Sequence, residues 1–417
     1  MLTRRTAVLS TAAAAAVSLT ATGTARAAQA QAQPVRFRLP APTGPYPVGT
    51  VALRLVDASR HDPWLPHLPY RELMIGVRYP ARTVVGHPAA PQMLPGEAAG
   101  FAELNSLGGV PAGRVDWAAT RTHAYEGAPV LMRGGPHPVI LYSPGAGDPR
   151  TMNTTLCDDL ASRGFVVVTL DHTYDAGAVE FPGGRVEKSV LPAEFAKVAD
   201  DPAGLTALLR KTLAVRVADT RFLLDALPGA LPPALRAAAD LRRTGMFGHS
   251  AGGFTALQAM HEDARIRAGI DIDGVLAYVQ EGNIPGEFSD VAASGLDRPF
   301  LLVGKDHDDL RSELAWAALW RRSTGWHRGF SFCGAEHASF TDAEAIVPQL
   351  ARPLGLSRAT VTALVGTLPP ALAVPAQRSY VAAFFTRFLR SRGDGGLLDS
   401  PSPRYPYVHF FPAECGT

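Results

Sequence analysis

Short apolar runs recur along the second two thirds of the chain, and stretches with helical spacing of apolar positions separate them. The runs are rich in Val, Ile, Leu and Phe, as expected of strands that are buried on both faces. They predict strands at residues 139–142, 165–170, 244–247, 268–272, 299–303 and 330–332. Helices are predicted at residues 156–162, 217–227, 254–260 and 380–390. This alternation predicts the α/β class, with a mostly parallel, doubly wound central sheet.

The part of the chain before these runs has a different pattern. Residues 51–57 and 71–80 alternate apolar and polar side chains, which predicts a pair of antiparallel strands. Residues 81–135 are punctuated by Pro and Gly and show no clear periodicity. A stretch of that length is more typical of a cap or a cleft wall than of a linker. We predict a single domain over residues 49–417, in which residues 81–135 and 275–298 are cap-like insertions that line the cleft.

The first 27 residues have the features of an export signal. Arg4 and Arg5 precede an Ala-rich, mildly apolar stretch that runs to about residue 19, and Ala-Arg-Ala at residues 25–27 is a small-x-small cleavage site. The alternative is a retained anchor, but the apolar stretch is short for a stable membrane span. We predict a twin-arginine-type signal peptide over residues 1–27, a flexible lead-in over residues 28–48, and a secreted, extracellular protein.

The charge and the cysteine content of the chain argue against nucleic-acid binding and against a cysteine metal site. The chain of 417 residues has a formal net charge of +2, which becomes −1 without the three arginines of the first 27 residues. A near-neutral body offers no electrostatic footprint for nucleic acid. Cys157, Cys333 and Cys415 are too far apart in sequence for a metal motif. In an oxidising compartment one pair can bridge; Cys333 with Cys415 is one option, which leaves Cys157 in a helical core position.

The sequence Gly-His-Ser-Ala-Gly-Gly at residues 248–253 lies between a predicted strand and a predicted helix. A strand, a sharp turn and a helix with a serine at the apex is the context that a nucleophile elbow requires. Glycines are needed there because the turn strains the backbone and brings strand and helix too close for Cβ atoms. The pattern therefore predicts Ser250 as a nucleophile. The alternative is a Gly-rich turn that holds an ordinary serine.

A serine hydroxyl needs a base, and the base needs an orienting group. When a nucleophile elbow leads a triad, the acid and then the histidine follow it along the chain. His337 comes after the last predicted strand and is our candidate for the base. The other histidines considered are interpreted as surface or packed residues: His249, His261, His307 and His409. Four acids lie at or near the ends of predicted strands, and spacing alone does not choose among them: Asp271, Asp273, Asp306 and Asp308.

An ester-cleaving site also needs two N–H donors where the oxyanion forms. The residue after the nucleophile, Ala251, supplies one. The other is expected from the turn at residues 143–147, Ser-Pro-Gly-Ala-Gly, where two glycines let the backbone approach a ligand. Ala146 is the residue in that turn that is best placed to donate.

Several of these segments carry a family likeness. Residues 137–147, 159–167 and 269–273, together with the Gly-His-Ser-x-Gly-Gly elbow, resemble plasma-type platelet-activating-factor acetylhydrolases. Residues 71–74 and 380–398 resemble bacterial secreted lipases and esterases, which belong to the same superfamily of α/β-hydrolases. The likeness extends over about residues 51–398. It implies the α/β-hydrolase fold, Asp273 as the acid and His337 as the base, and it supports the amides of Ala146 and Ala251 as oxyanion donors.

The sequence departs from the family pattern around the acyl pocket. Pro144 stands where a histidine is usual before the oxyanion glycine, and Ala251 stands where the residue after the nucleophile is usually bulky. Ala146 is also smaller than the usual residue. These changes alter the wall of the acyl pocket and leave the reaction class intact.

We therefore expect a secreted serine ester hydrolase that works through an acyl-enzyme. The expected substrate is a small-molecule or lipid ester, such as a phospholipid with a short or oxidised acyl chain, and its use is compatible with transient contact with a lipid surface. No metal, organic cofactor or nucleic acid is expected. One alternative is a broad carboxylesterase or polyester hydrolase with the same triad. Another is a catalytically silent α/β-hydrolase fold used for binding.

Overall fold

One sheet of eleven strands runs through the part of the chain that the computed structural model describes, which is residues 33–104, 107–278 and 287–411. A separate two-stranded sheet pairs β7 with β8. The strands are β1 (Val48–Asp57), β2 (Arg71–Pro80), β3 (Ala89–Pro91), β4 (Arg121–Glu126), β5 (His137–Ser143), β6 (Val166–Asp171), β7 (Ala178–Glu180), β8 (Val186–Lys188), β9 (Ala239–His249), β10 (Ile266–Ile272), β11 (Phe300–Gly304), β12 (His327–Phe332) and β13 (Val408–Phe410).

Helices precede, connect and follow these strands. They are α1 (Pro95–Leu104), α2 (Thr154–Ser162), α3 (Leu191–Lys197), α4 (Pro202–Ala230), α5 (Pro233–Ala238), α6 (Ala251–Glu262), α7 (Asp290–Ser294), α8 (Leu314–Arg322), α9 (Ala343–Leu354), α10 (Arg358–Val365) and α11 (Pro370–Arg390).

The order of the strands creates a crevice at the centre of the sheet. That order is β13-β12-β11-β10-β9-β5-β6-β2-β1-β4-β3, and the six strands from β12 to β6 are parallel. β6 pairs with one side of β5. The chain then returns to the other side of β5, where β9, β10, β11 and β12 follow in order. Open α/β sheets bind ligands at the carboxyl ends of the strands where the order reverses in this way. The predicted doubly wound α/β fold is confirmed.

The two faces of the parallel strands are covered by different helices. Along β5, Val139 and Leu141 pack in one core with residues of α4, α6 and α8. Ile140 and Tyr142 pack in a second core with residues of α2 and α11. Because successive side chains of a strand point to opposite faces, a strand covered on both sides is apolar throughout. This explains the continuous apolar runs in the sequence.

The predicted antiparallel pair is present, with Leu55 opposite Leu73 in β1 and β2. Residues 81–135 contain more structure than their pattern predicts, since β3 and β4 extend the sheet beyond β1. The chain also does not end its sheet at β12, because β13 pairs antiparallel with that strand. β3 and β13 are only three residues long, and so short a strand has no period to detect.

The described part of the N-terminal lead-in, residues 33–48, packs against the domain at particular positions. Phe37 and Leu39 are buried, and the Phe37 ring lies 5.3 Å from the ring of Trp117. These two apolar side chains tie residues 33–48 to the domain, although the surrounding Ala, Gln and Pro predict flexibility. The predicted signal peptide, residues 28–32 and residues 279–286 of the second insertion lie outside the described residues.

Candidate active site

Ser250 occupies a turn between β9, which ends at His249, and α6, which begins at Ala251. Its backbone angles are φ 56° and ψ −124°, and its side chain is half-buried at the carboxyl edge of the sheet. A non-glycine residue with positive φ is strained, and such residues cluster at functional sites. The strand, turn and helix therefore have the geometry expected of a nucleophile elbow.

The three glycines around Ser250 are required by close approach of the backbone. A Cβ atom on Gly248 would overlap the backbone of Gly252, and one on Gly252 would overlap the carbonyl of Ser143 at the end of β5. A Cβ atom on Gly253 would overlap the Asp271 carboxylate. The turn is thus wedged between β5 and β10, the two strands that flank β9.

His337 and Asp273 meet beside this turn. His337 begins a single 3₁₀ turn (His337–Phe340) after β12, and its Nδ1 is hydrogen-bonded to Oδ2 of Asp273. Asp273 directly follows β10, has a φ of 56°, and donates its amide to the carbonyl of Val303 at 2.8 Å. The Asp273 side chain is buried, whereas that of His337 is 50% exposed. The histidine can therefore be reached from the crevice.

The two groups shift each other's proton affinity. Burial opposes the charge of Asp273, but the adjacent His337 outweighs it and lowers the pKa of the carboxyl below its ordinary value. Burial also lowers the pKa of His337, but the charge and hydrogen bond of Asp273 outweigh it and raise that pKa above 6.5. Asp273 is therefore ionised at neutral pH and favours a protonated imidazolium.

His249 belongs to the same cluster, which the sequence did not indicate. It is buried, its ring centroid lies 4.4 Å from that of His337, and its Nε2 donates to the His337 carbonyl at 2.9 Å. Burial and the charge of His337 lower the pKa of His249 to about 3, so that it stays neutral. Its position next to the elbow serine was the one signal available. His249 holds the backbone of the turn that carries His337.

Two of the other candidate acids have different partners. Asp271 is buried and accepts hydrogen bonds from the indole of Trp316 at 3.1 Å and from the amide of Gly274 at 3.0 Å. Its bonds fix the start of the loop after β10. Asp306 is only partly buried, and its Oδ2 lies 3.5 Å from Nε2 of the exposed His307.

Asp308 lies in the loop after β11 and approaches the Asp273–His337 pair. It makes a side-chain hydrogen bond to Asp273, and Nζ of Lys305 lies 3.6 Å from its Oδ1. Burial and the charge of Asp273 raise the pKa of Asp308 to about 9. Asp308 is therefore protonated at neutral pH, and its carboxyl O–H donates a hydrogen bond to the Asp273 carboxylate. Of the four candidate acids, Asp273 contacts His337 directly, and Asp308 supports it from behind.

The remaining histidines are placed as expected. His261 lies in the last turn of α6, and His307 is exposed. His409 lies in β13, and its Nε2 is 3.1 Å from the carbonyl of Pro406.

The two candidate oxyanion donors lie on adjacent elements. Ala146 is exposed in the turn after β5, and its amide donates to no acceptor among the residues that the structure describes. Ala251 is the first residue of α6, so its N–H has no partner within the helix and lies at the positive end of the helix dipole. The two segments touch where Gly252 packs against Ser143. Both donors are therefore at the edge of the sheet that carries Ser250.

His249, Asp273 and His337 also place ligand atoms within 4.8 Å of one another, which is the spacing of a metal site. However, Nδ1 of His337 is hydrogen-bonded to the Asp273 carboxylate, and Nε2 of His249 donates a hydrogen bond to a carbonyl oxygen. These bonds are typical of an oriented imidazole used for proton transfer.

The known proteins that match this chain are acetylhydrolases and esterases. The family model described as platelet-activating factor acetylhydrolase, isoform II, matches residues 32–181. A probable 1-alkyl-2-acetylglycerophosphocholine esterase from Arthroderma benhamiae is 29% identical over 399 residues, which cover 90% of this chain and 94% of that protein. The platelet-activating factor acetylhydrolase of Canis lupus familiaris is 30% identical over 168 residues, which are 34% of this chain and 36% of that protein.

A solved structure matches over more of its length. Ferulic acid esterase from Streptomyces cinnamoneus is 38% identical with a TM-score of 0.72, and the match covers 90% of this chain and 99% of that one. The resemblance inferred from the sequence is confirmed. The chain is an ester hydrolase with the α/β-hydrolase fold, it is similar to platelet-activating factor acetylhydrolases, and it belongs to the same family as this ferulic acid esterase.

Proposed function

We propose that the chain cleaves carboxylic esters through an acyl-enzyme in which Ser250 is the nucleophile, His337 the general base and Asp273 its orienting acid. The observation that carries the proposal is the His337–Asp273 hydrogen bond at the edge of the sheet where the strained Ser250 turn lies. That bond keeps the imidazole proton on Nδ1, so Nε2 is the basic nitrogen.

The reaction then has two similar halves. Oγ of Ser250 forms a bond to the ester carbonyl carbon while Nε2 of His337 takes the hydroxyl proton. When the tetrahedral intermediate collapses, the bond to the alkoxy oxygen breaks and the alcohol leaves with that proton. Water attacks the acyl-enzyme by the same route, giving its proton to Nε2, and the carboxylic acid is released from Ser250. Asp273 stabilises the imidazolium in both halves.

The amides of Ala146 and Ala251 are proposed to bind the oxyanion. Preorganised donors of this kind stabilise charge that exists only in the tetrahedral intermediate and the transition states around it. Two observations support this assignment. Ala146 is exposed and its amide has no acceptor within the described ranges, and Ala251 lies at a helix N-terminus. Neither amide has another acceptor to release among the residues that the structure describes.

The role of Ser250 is tested by Ser250→Ala with a chain-length series of p-nitrophenyl esters as substrates. Turnover should disappear while the melting temperature stays nearly unchanged, because only a hydroxyl is removed. Activity that survives in a folded Ser250→Ala protein would reject the elbow assignment. Wild-type protein that is folded and cleaves none of the esters would favour the catalytically silent binding protein.

We propose a lipid-type ester with a short or oxidised acyl chain as the substrate. The support is the name of the relative from Arthroderma benhamiae, which matches over nearly its whole length. A phospholipid substrate would also bring the chain into transient contact with a lipid surface.

The match to a ferulic acid esterase supports a second candidate substrate, an ester of a hydroxycinnamic acid. The small residues at positions 146 and 251 are compatible with an acyl group of that size.

These substrates are separated by one panel. A short-acyl phosphatidylcholine, methyl ferulate and the p-nitrophenyl esters are compared by kcat/KM, with Ser250→Ala as the blank. Preference for the phosphatidylcholine supports the lipid proposal, and preference for methyl ferulate supports the second candidate. Cleavage of the nitrophenyl esters alone would favour the broad carboxylesterase or polyester hydrolase.

We also propose that residues 81–135 and 275–298 form walls of the cleft. In the first, Glu97 of α1 forms a buried ion pair of 2.6 Å with Arg150, three residues after the oxyanion turn. In the second, the Tyr278 ring lies 5.7 Å from that of Phe254 in α6. Both segments thus contact the elements that follow the turn and the elbow. The division of the chain into one domain from residue 49 stays a prediction.

Export is proposed on the twin arginines and on one structural fact, that Cys333 is disulfide-bonded. Disulfides persist in oxidising compartments outside the cytosol. Cys157 is free and buried, in line with its predicted core position, and Cys415 lies outside the described residues. Replacement of both Arg4 and Arg5 by Lys should retain the protein in the cell if the signal is of the twin-arginine type. Unchanged export would reject that type.

A further inference from the structure

The turn that carries Ala146 rests on a buried ion pair. Arg216 of α4 and Asp175 are each 1% exposed, and they join through two hydrogen bonds, from Nε to Oδ2 at 2.7 Å and from Nη2 to Oδ1 at 2.6 Å. The guanidinium also donates to the carbonyl of Pro144 at 2.7 Å and to that of Gly145 at 3.0 Å. Oδ1 of Asp175 accepts the amide of Gly147 at 3.1 Å. The pair therefore holds the backbone on both sides of Ala146.

The bond to Gly145 has a direct effect on the Ala146 amide. The carbonyl of Gly145 and the N–H of Ala146 belong to one peptide unit, which is planar and trans, so the two groups point in opposite directions. When Arg216 draws the Gly145 oxygen toward the protein interior, the Ala146 N–H must point the other way. The exposure of Ala146 agrees with a direction toward the crevice.

A second buried group supports the same region from the end of β5. Oγ of Ser143 is 2.9 Å from Nε2 of His172, whose Nδ1 is 3.0 Å from Oδ2 of Asp219. Arg71 completes the group with a 2.8 Å bond to Asp219, and all four residues are fully buried. Although the order of groups is that of a catalytic triad, no substrate can reach Ser143. The group is a structural support for the strand that leads into the turn.

We propose that Arg216 is a positioning residue for the reaction: through Asp175 and the Gly145 carbonyl, it orients the Ala146 amide toward the ester oxyanion. The inference rests on the proposed function, because it takes Ala146 as an oxyanion donor. A lysine cannot replace the guanidinium fork, since one ammonium group cannot hold a carboxylate bidentately and two carbonyls at fixed angles. Arg216→Lys should therefore keep the charge and lose the orientation.

The expected effect is on kcat rather than KM, because the oxyanion exists only after attack. Removal of an oxyanion donor costs about 10²–10³ in kcat, and a misdirected donor should cost less, about 10- to 100-fold. KM should stay within about twofold of wild type. The inhibition constant of a trifluoromethyl ketone, whose hemiketal oxygen occupies the oxyanion hole, should rise by the factor by which kcat/KM falls.

The experiment compares full-length wild type, Arg216→Lys and a matched control, Arg378→Lys. Arg378 is also buried and donates to the carbonyls of Ala41 and Pro40 at 2.8 and 3.0 Å, on a segment away from the turn. Competent sites are counted by endpoint labelling with a fluorophosphonate and intact mass, and kcat is expressed per labelled site. A role in folding alone would lower the number of labelled sites and leave kcat per site unchanged.

The outcomes separate this inference from the function on which it rests. The inference is supported if Arg216→Lys lowers kcat per labelled site and raises the inhibition constant of the trifluoromethyl ketone in parallel. Arg378→Lys should then show neither change. Unchanged kcat per site in Arg216→Lys overturns it. If Arg216→Lys does not fold, Asp175→Asn decides in the same assay, because asparagine still accepts from the Gly147 amide but loses the ionic hold on Arg216. Labelling or turnover that persists in Ser250→Ala would reject the proposed function instead.

Discussion

At the scale of single residues, the site is marked by backbone strain and by paired charges. Ser250 and Asp273 both have a φ of 56°, and each directly follows a strand of the parallel part of the sheet. Strained residues persist only where the surrounding structure determines them, and they are concentrated at functional sites. The identity of each side chain there should matter far more to activity than to stability.

The first residue-scale prediction concerns the acid. Asp273→Asn should lower kcat by about 10⁴, because the amide cannot stabilise the imidazolium and favours the wrong tautomer of His337. Asp306→Asn is the matched control and should retain nearly full activity, since its side chain lies beside His307. The measurement is kcat on a p-nitrophenyl ester. The opposite ranking of the two variants would move the acid to the loop after β11.

A second prediction uses the protonated carboxyl behind Asp273. Asparagine at position 308 can still donate a hydrogen bond to Asp273, whereas alanine cannot. Asp308→Asn should therefore lower kcat less than Asp308→Ala does, because the alanine variant loses a hydrogen bond to a charged group, which contributes about 1.5–3 kcal/mol. Steady-state kinetics on both variants test this order. Equal loss in the two would show that the donated proton is irrelevant.

A third prediction concerns pH. Because the base must be neutral, kcat/KM should fall as pH drops through the pKa of His337, which Asp273 raises above 6.5. The negative charge of Asp148 also raises the pKa of His337. Asp148→Asn should consequently move the acid limb of the profile to lower pH, while Asp306→Asn should leave it in place. A limb that moves to higher pH in Asp148→Asn would contradict this electrostatic account.

At the scale of elements, the patterns of the chain predicted the central strands well, but they missed the short strands at the sheet edges and several helices, such as α9. β1 and β2 appeared in the expected antiparallel pairing, and the elbow joined β9 to α6 as expected. β3, β4 and β13 were missed, although they form or extend the edges of the sheet. Strands of three to six residues form because they pair with a neighbouring strand, and they are too short to show a clear periodicity of their own. The neighbouring strand is distant in sequence, so the local pattern does not reveal it.

The element-scale prediction concerns the packing of the elbow on β5. Gly252→Ala should destabilise the protein by about 1–3 kcal/mol and abolish most activity, because the new methyl group meets the Ser143 carbonyl. Gly229 is the control, since it lies in α4 with open space around it. Gly229→Ala should be neutral or stabilising by up to about 1 kcal/mol, as expected for alanine in a helix. Chemical denaturation measures both, and a neutral Gly252→Ala would contradict the close approach.

At the scale of the whole molecule, the strand order brings distant segments to one crevice. The turn that contains Ala146 follows β5, Ser250 follows β9, and Asp273 follows β10, which are three neighbouring strands. His337 reaches the same edge after β12, four residues beyond the disulfide-bonded Cys333. The C-terminal strand β13 closes that side of the sheet. The disulfide and His337 therefore belong to the same segment after β12.

The whole-molecule prediction follows from that disulfide. A reducing agent should lower the free energy of unfolding of the wild type by about 2–4 kcal/mol. Cys333→Ser should start from the lower value and respond no further to reductant. Denaturant melts with and without reductant measure the effect. A wild-type protein that is equally stable in both conditions would show that the disulfide contributes nothing to stability.

The sequence by itself determined the local parts of this protein. Apolar runs specify buried strands, the glycines around Ser250 specify a tight turn, and chain order places His337 last, because each depends on residues that are neighbours in sequence. Spacing left the acid undecided until a family likeness favoured Asp273. Only the tertiary structure decided that Asp308 interacts with Asp273 and that Arg216 donates to the Gly145 carbonyl beside Ala146. Such pairings depend on which strands and helices pack together, and a pattern within one segment carries no record of a partner many residues away.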